Sequence, residues 1–173
     1  MIRVAINGFG RIGRNVLRAL YERPEMKSKI QIVAINDLGA PEINAHLTQY
    51  DSTHGKFMHN VTLVSGDLQV GSDRIGILAE RDPSQLPWKA LDIDLVFECT
   101  GLFTTRKSAQ AHLTAGAKRV LISAPGSQVD ATIVYGINHQ TLTDQHHVVS
   151  NASCTTNCLA PIAAVLSRSV GIE

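Results

Sequence analysis

The chain has 173 residues, with 16 Lys and Arg against 15 Asp and Glu and a net charge of +1; this length suits one ordinary domain, with room for part of a second. The balanced charge, with no basic run, argues against nucleic acid and membrane surfaces as partners. Three cysteines, an odd number, with no secretory signal and no apolar run of about 20 residues, favour a reducing compartment and predict a cytoplasmic protein.

The first residues carry the pattern of a dinucleotide-binding unit. An apolar strand over 2–6 leads into a Gly-x-Gly-x-x-Gly loop and a helix that Pro24 ends, and a second strand covers 30–35. In such a loop Gly8 permits a tight turn, Gly10 lets the backbone approach a pyrophosphate, and Gly13 lets the helix pack closely on the strand. The pyrophosphate would then lie at the helix N-terminus.

An acidic residue, Asp37, follows the second strand. A carboxylate there accepts hydrogen bonds from the adenosine ribose hydroxyls and repels a 2′-phosphate, so the sequence predicts NAD rather than NADP. A glycine loop alone often only turns the chain. The strand before it, the helix after it and the acid at the second strand end together make the prediction specific.

The pattern then departs from strict alternation of strand and helix. A short helix is predicted over 41–50, a polar loop over 51–57 and a helical turn over 84–88. Between them lie three short strands separated by glycine turns, over 61–64, 68–70 and 75–78. We therefore predict an antiparallel excursion inserted into a mostly parallel sheet.

The second half resumes the parallel pattern. A nearly continuous apolar strand over 94–99 is typical of a sheet buried on both faces. A helix over 105–115, with Gly116 at its C-terminal cap, precedes strands predicted over 119–123, 131–135 and 147–149. The fold class is thus predicted as α/β, a doubly wound, mostly parallel, Rossmann-type sheet.

Ligands of doubly wound sheets lie outside the carboxyl ends of the strands. Thr100 and Gly101 follow the strand over 94–99, and Ser123 ends the next strand. These three residues are therefore further candidates for cofactor contacts.

The segment 150–158, Ser-Asn-Ala-Ser-Cys-Thr-Thr-Asn-Cys, precedes an apolar-periodic run over 159–170. Ser153 is a good N-cap, so Cys154 would open a helix, where free amides and the helix dipole favour the nucleophilic thiolate. A buried structural thiol is the commoner fate of a lone cysteine, but small polar neighbours do not form an apolar site and suit an anion instead. Cys158 is predicted to lie in the core with Leu159 and Ile162. No Cys or His spacing predicts a metal site.

Together these motifs resemble the phosphorylating glyceraldehyde-3-phosphate dehydrogenases. The resemblance covers the whole chain in order and rests on residues 7–14, 34–37, 50–55, 80–83, 100–103 and 150–158. It implies that Cys154 is the nucleophile and that Ser153 and Thr155 bind the substrate phosphate or inorganic phosphate. It also implies NAD contacts from Arg11, Ile12, Asp37, Arg81 and Ser123.

The implied reaction is the glycolytic oxidative phosphorylation of D-glyceraldehyde 3-phosphate to 1,3-bisphosphoglycerate by a homotetramer. The Cys154 thiolate adds to the aldehyde, a base takes the hydroxyl proton while hydride passes to NAD, and phosphate cleaves the resulting thioester. Family members run further and supply that base, together with arginines for the substrate phosphates. We therefore expect residues 1–150 to form the NAD-binding domain and 151–173 the first helix of a truncated catalytic domain. The 173-residue chain alone is expected to bind NAD without turnover.

Three alternatives stay open. Erythrose-4-phosphate dehydrogenases share the cysteine motif, although Asp37 within Ile-Asn-Asp favours the glyceraldehyde enzymes. A non-catalytic NAD-binding module would keep the same fold. Cys154 and Cys158 could also form a redox pair, which the strain of a disulfide within one helix disfavours.

Overall fold

A computed structural model describes residues 1–172 and arranges them around one nine-stranded sheet. The strands are β1 (Ile2–Asn7), β2 (Ile30–Asn36), β3 (Tyr50–Asp51), β4 (Gly55–Lys56), β5 (Val61–Val64), β6 (Asp67–Val70), β7 (Asp73–Leu78), β8 (Leu95–Glu98), β9 (Arg119–Ile122), β10 (Ala131–Thr132) and β11 (Val148–Ser150). The helices are α1 (Arg11–Tyr21), α2 (Pro24–Lys27), α3 (Pro41–Gln49), α4 (Arg106–Thr114) and α5 (Cys154–Ser169), with 3₁₀ turns at Pro83–Gln85 and His139–Thr141.

The strand order confirms the doubly wound fold. It runs β10-β11-β9-β8-β1-β2-β7-β6-β5, and every pair from β10 to β7 is parallel. Only β6 runs against its neighbours, β5 and β7, which is the predicted antiparallel excursion. Because β1 has β2 on one side and β8 on the other, the direction of strand addition reverses beside β1, and ligands bind at such a switch point.

Apolar side chains bury both faces of the central strands. Ile6 packs with Leu17 of α1 on one face, whereas its neighbour Ala5 packs with Trp88 on the other. This follows from the period of two along a strand, which sends successive side chains to opposite faces. The small Ala5 side chain leaves room for the fully buried indole of Trp88.

Two short segments differ from their predicted structure. Residues 51–57, predicted as a polar loop, include the two-stranded pairing of β3 with β4, and Phe57 is buried with the Arg18 guanidinium 5.1 Å from its ring centroid. The strand predicted over 131–135 ends at Thr132. The Asn138 side chain there donates to the Thr132 carbonyl (2.9 Å) and accepts the Val134 amide (2.8 Å), so local bonds replace a longer ladder.

The prediction that Cys158 lies in the core is wrong. No residue of α5 is buried: Cys158 is exposed, as are Leu159 (65%) and Ile162 (54%). The predicted apolar period is present along α5, but a period shows only that a helix has an apolar face. Nothing among residues 1–172 covers that face.

Candidate functional site

The carboxyl ends of five adjacent parallel strands place the predicted site residues along one edge of the sheet. In spatial order, β2, β1, β8, β9 and β11 lead to Asp37, Gly8, Thr100, Ser123 and Cys154. Neighbouring strands lie about 4.8 Å apart, so the four intervals from β2 to β11 span roughly 19 Å. The sequence-predicted residues therefore form a row.

The glycine loop after β1 has the close contacts expected of Gly8 and Gly13. Gly8 has φ +88, and a Cβ there would lie 2.7 Å from the Thr100 nitrogen. A Cβ on Gly13 would lie 2.3 Å from the Gly8 carbonyl oxygen, so α1 packs directly on the turn. Gly10 differs, because its Cβ would meet no atom within 4 Å. That side of the loop is open.

The N-terminus of α1 has the features of an anion site. Gly10 is its N-cap, and no side chain among residues 1–172 caps it. The Arg14 amide donates to the Gly10 carbonyl (3.0 Å). The amides of Arg11, Ile12 and Gly13 lie in the first turn, where the helix offers them no carbonyl acceptor, so they are free to bind an anion. The Arg11 guanidinium pairs instead with Asp51 (3.0 Å). Arg11 therefore presents its backbone, not its side chain, at this end of α1.

A groove of about 370 Å³ opens beside this helix end, at the carboxyl ends of β1, β2 and β8. Its lining includes five of the predicted cofactor residues: Gly8, Gly10, Asp37, Arg81 and Thr100. The exposed side chains of Leu38 and Leu102 add apolar surface to it. Ile12 and Gly101 are exposed on α1 and after β8, outside this lining.

Backbone amides fix the Asp37 carboxylate in the groove. One of its oxygens, Oδ2, accepts the Phe9 amide (2.7 Å), and the other, Oδ1, accepts the Gly39 amide (2.8 Å). The acid after β2 is thereby tied to the glycine loop after β1. A carboxylate oxygen accepts more than one hydrogen bond, so acceptor capacity remains for a ligand hydroxyl.

The next position along the edge pairs Cys99 with Ser123. Burial raises the pKa of the Cys99 thiol to about 11. A hydrogen bond with Ser123 acts to lower this pKa, and the charge of Glu98 acts to raise it. This cysteine therefore remains a protonated thiol at neutral pH, unlike a catalytic nucleophile.

The turn from β11 into α5 is held by the Ser150 hydroxyl. It donates to the Ala124 carbonyl (2.7 Å) and accepts the amides of Gly126 and Ala152 (both 3.0 Å). Ala152 adopts a left-handed conformation, φ +58, which a residue with a Cβ takes only under constraint. The turn thus fixes the direction in which α5 leaves the sheet.

Cys154 is the first residue of α5 and is exposed. Ser153 is the N-cap, as predicted, and its Oγ accepts the Thr156 amide (3.0 Å). The Thr155 hydroxyl lies 2.9 Å from that of Ser153, and the Asn157 amide donates to the Ser153 carbonyl (2.9 Å). One helix end therefore gathers a thiol, hydroxyls and free amides, which can hold a nucleophile beside an anion.

Comparison with known proteins places this arrangement in a family. Residues 2–106 match the family described as "Glyceraldehyde 3-phosphate dehydrogenase, NAD binding domain". The chain belongs to this family. The resemblance predicted from the motifs is thereby confirmed, and with it an NAD-binding domain.

Curated relatives agree with the family match. The chain is 62% identical over 172 residues to a glyceraldehyde-3-phosphate dehydrogenase of Pseudomonas aeruginosa, and 58% identical to those of Xanthobacter flavus and, for the chromosomal protein, Cupriavidus necator. Each alignment covers 99% of this chain and 51% of the relative. The chain therefore spans about half the length of the curated relatives it matches.

Sequence reasoning missed a set of polar residues in the floor of the groove and beneath it. Asn7, Asn36, Glu98 and His112 are all buried and hydrogen-bonded to one another in a chain. The sequence does carry a signal for them, because Asn7, Asn36 and Glu98 are each the polar last residue of a mostly apolar strand.

Neither a metal site nor a membrane-crossing helix is found in the described chain. Within residues 1–172 no three His, Cys, Asp or Glu side chains come together as metal ligands. None of the helices over the same residues is both long enough and apolar enough to cross a membrane.

Proposed function

We propose that the chain is the NAD-binding part of a phosphorylating glyceraldehyde-3-phosphate dehydrogenase, which converts D-glyceraldehyde 3-phosphate and inorganic phosphate to 1,3-bisphosphoglycerate. The observation that carries the proposal is the single sheet edge running from the groove at Asp37 to the exposed thiol of Cys154. A dinucleotide lying along that edge would bring its reactive end near the thiol. The family match and the names of the relatives support the same activity.

In this proposal the first turn of α1 binds the pyrophosphate. The amides of Arg11, Ile12 and Gly13 supply donors at the positive end of a helix without a side-chain cap. The open side of Gly10 lets the phosphates approach the backbone. Because the Arg11 side chain is paired with Asp51, the backbone carries this contact.

The remaining cofactor contacts follow the sheet edge. Asp37, fixed by the Phe9 and Gly39 amides, accepts the ribose hydroxyls and repels a 2′-phosphate. Arg81 and Thr100 contact the adenosine half from opposite walls of the groove. Gly101 and Ser123 continue the contacts toward Cys154. NAD, when bound, supplies the hydride acceptor.

Cys154 is the nucleophile of the proposed reaction, and Ser153 and Thr155 bind the phosphate beside it. The support is geometric: the exposed thiol begins α5, where free amides stabilise negative charge on the sulfur and on an anion alike. The reaction needs such a thiolate to attack the aldehyde carbon.

We also propose a domain boundary at residue 150. The last strand of the sheet, β11, ends at Ser150, and the helix that follows has no buried residue. Residues 1–150 then form the NAD-binding domain, and 151–173 begin the catalytic part of a longer homotetrameric enzyme.

Calorimetric titration of the chain with NAD and NADP tests the proposal. We expect NAD to bind and NADP to bind at least about tenfold more weakly, since a phosphate beside the Asp37 carboxylate is repelled. Asp37→Asn should narrow the difference, whereas Glu22→Gln, an exposed position at the far end of α1, should not. Equal affinity for both dinucleotides, or no binding, would contradict the proposal.

A further inference from the structure

Five buried side chains form a continuous hydrogen-bonded chain that begins beneath the groove and ends in its lining, at Asn7 and Asn36. Trp88, His112, Glu98, Asn7 and Asn36 are each no more than 5% exposed. Their polar atoms connect the indole, the imidazole, the carboxyl group and the two amides in that order. The family match and the relatives' names assign none of them a role.

The indole fixes the protonation of His112. Trp88 Nε1 is only a donor, and it lies 3.0 Å from His112 Nδ1, which must therefore accept. The proton of His112 is then on Nε2, which donates to Glu98 Oε2 (2.9 Å). The pair is a hydrogen bond between a neutral imidazole and a carboxyl group, not a salt bridge.

The Glu98 carboxyl group is surrounded by donors only. Its Oε2 accepts from His112 and from the Asn7 amide (2.6 Å). Its Oε1 accepts the Thr100 amide (2.8 Å) and the Thr100 hydroxyl. Donors on every side are the pattern of an ionised carboxylate, and within residues 1–172 no Lys or Arg forms an ion pair with it.

The network connects both walls of the groove. On one side Glu98 holds Thr100 by its amide and its hydroxyl. On the other, Asn7 Oδ1 accepts the Asn36 amide (2.7 Å), and Asn36 in turn bonds the backbone of Glu80, donating to its carbonyl and accepting its amide (both 2.8 Å). Glu80 directly precedes Arg81.

We propose that Glu98 is a positioning residue for dinucleotide binding, acting through Thr100 on one wall of the groove and through Asn7 and Asn36 on the other. The inference rests on the proposed NAD binding and deepens it. Neither Glu98 nor His112 is among the residues that line the groove. They fix the spacing between the segments that carry Thr100 and Arg81, so that the groove is preorganised before the cofactor arrives.

Replacing Glu98 by Gln gives a sharp test because the amide is isosteric but carries a donor. If its NH₂ faces Thr100, it meets the Thr100 amide; if it faces the other side, it meets Asn7 Nδ2 and His112 Nε2–H. Trp88 prevents His112 from moving its proton to Nδ1 to relieve the second conflict. In each orientation two hydrogen-bond donors face each other without an acceptor, which should disturb the spacing of the groove walls. We therefore expect Glu98→Gln to weaken NAD binding about tenfold or more.

A second substitution should restore part of the binding. In the double variant Glu98→Gln with Trp88→Phe, His112 is free to protonate Nδ1, and its Nε2 then accepts from Gln. One of the two conflicts on that side is thereby removed, and only the contact with Asn7 Nδ2 remains. We expect the double variant to bind NAD more tightly than Glu98→Gln alone, although Trp88→Phe also opens a cavity in the core. A double variant that binds NAD no more tightly than Glu98→Gln alone would contradict the proposed conflict between donors at His112.

A control substitution in the core, away from the groove, distinguishes a positioning effect on NAD binding from a general loss of stability. Ile75→Val removes a methylene group in β7, away from the groove lining, and costs about 0.5–1.5 kcal/mol of unfolding free energy. Should it weaken NAD binding as much as Glu98→Gln does, the positioning role is refuted. If Glu98→Gln does not fold, His112→Gln and His112→Leu replace it: only Gln keeps a donor toward Glu98, and equal NAD affinities of the two would overturn the proposal.

The histidine nitrogen signals of the wild-type chain give a readout independent of NAD. We expect ¹⁵N NMR to find the His112 proton on Nε2; a proton on Nδ1 would refute the network while leaving the proposed NAD binding intact. Conversely, a wild-type chain with the expected tautomer that fails to bind NAD would refute the proposed function, and the positioning role with it. Wild-type binding that Glu98→Gln does not alter would refute the positioning role alone.

Discussion

The contact between α1 and the glycine turn allows a quantitative prediction for Gly13→Ala. The new Cβ would lie 2.3 Å from the Gly8 carbonyl oxygen and 3.1 Å from Ile6 Cγ2. Real Cβ contacts stay beyond about 3.0 Å, so helix and turn must separate by at least about 0.7 Å. Forced overpacking costs about 1–3 kcal/mol, while alanine returns up to about 1 kcal/mol of helix propensity.

We expect a net loss of about 2 kcal/mol, at the upper part of this range, because the obstructing atom belongs to the backbone and cannot rotate away. For a chain of this size that loss lowers Tm by roughly 4–8 °C. Thermal and urea unfolding followed by circular dichroism measure it. A Gly13→Ala chain as stable as the wild type would show that α1 does not pack on the turn as described.

Gly10→Ala is the matched control, three residues away in the same loop. Its Cβ meets no atom within 4 Å, and its φ of −69 suits any residue. Stability should change by less than about 0.5 kcal/mol, since the lower entropy of the unfolded chain offsets the poorer cap. NAD binding should nevertheless weaken, because the methyl group occupies the side on which the phosphates approach. If both variants lost stability equally, the close-contact argument would fail.

Three further outcomes are expected. Limited alkylation with iodoacetamide, mapped by mass spectrometry, should label Cys154 before the half-buried Cys99 and also before Cys158; both cysteines of α5 are exposed, so equal labelling of those two would remove the helix N-terminus as the cause. Thr105→Ala should lower the free energy of unfolding in urea by about 1 kcal/mol, because it removes the capping box of α4. Thr105→Ser keeps the capping hydroxyl and should retain most of that stability. The pKa of Asp51 is lowered to about 2 by the backbone amides of its own turn and by a neighbouring arginine, so its stabilisation is complete above its ordinary pKa near 4 and lost as the pH falls toward 2. Asp51→Asn should flatten the stability profile in that window, and an unchanged profile would contradict this assignment.

Local patterns were sufficient for much of the fold. The strand before the glycine loop, the helix after it and the N-cap at Ser153 all lie where the sequence predicted them. Each depends on interactions within a few residues, such as the Ser153 hydroxyl accepting an amide three positions on. The antiparallel excursion was predicted for the same reason, since its glycine turns are local signals.

The errors share a different origin. Phe57 lies in a polar stretch, and only the distant side chains of Arg18 and Tyr21 reveal that its ring is buried. Cys158 has the period of a core position, but whether an apolar face is covered depends on what packs against it. Burial is a property of contacts between residues far apart in sequence, so a periodic pattern indicates which face is apolar and not whether that face is covered.

The sequence by itself determined the α/β class, the glycine loop with its acid at Asp37 and the helix that Cys154 opens, because propensity, capping and turn chemistry act over short distances. Only the tertiary structure decided that these features lie along one edge of the sheet, and that Glu98, His112 and Trp88 meet beneath the groove. Those neighbours come from strand order and from helix packing across the sheet. A buried carboxylate needs several donors at once, and the fold gathers them from residues up to 91 positions away from it.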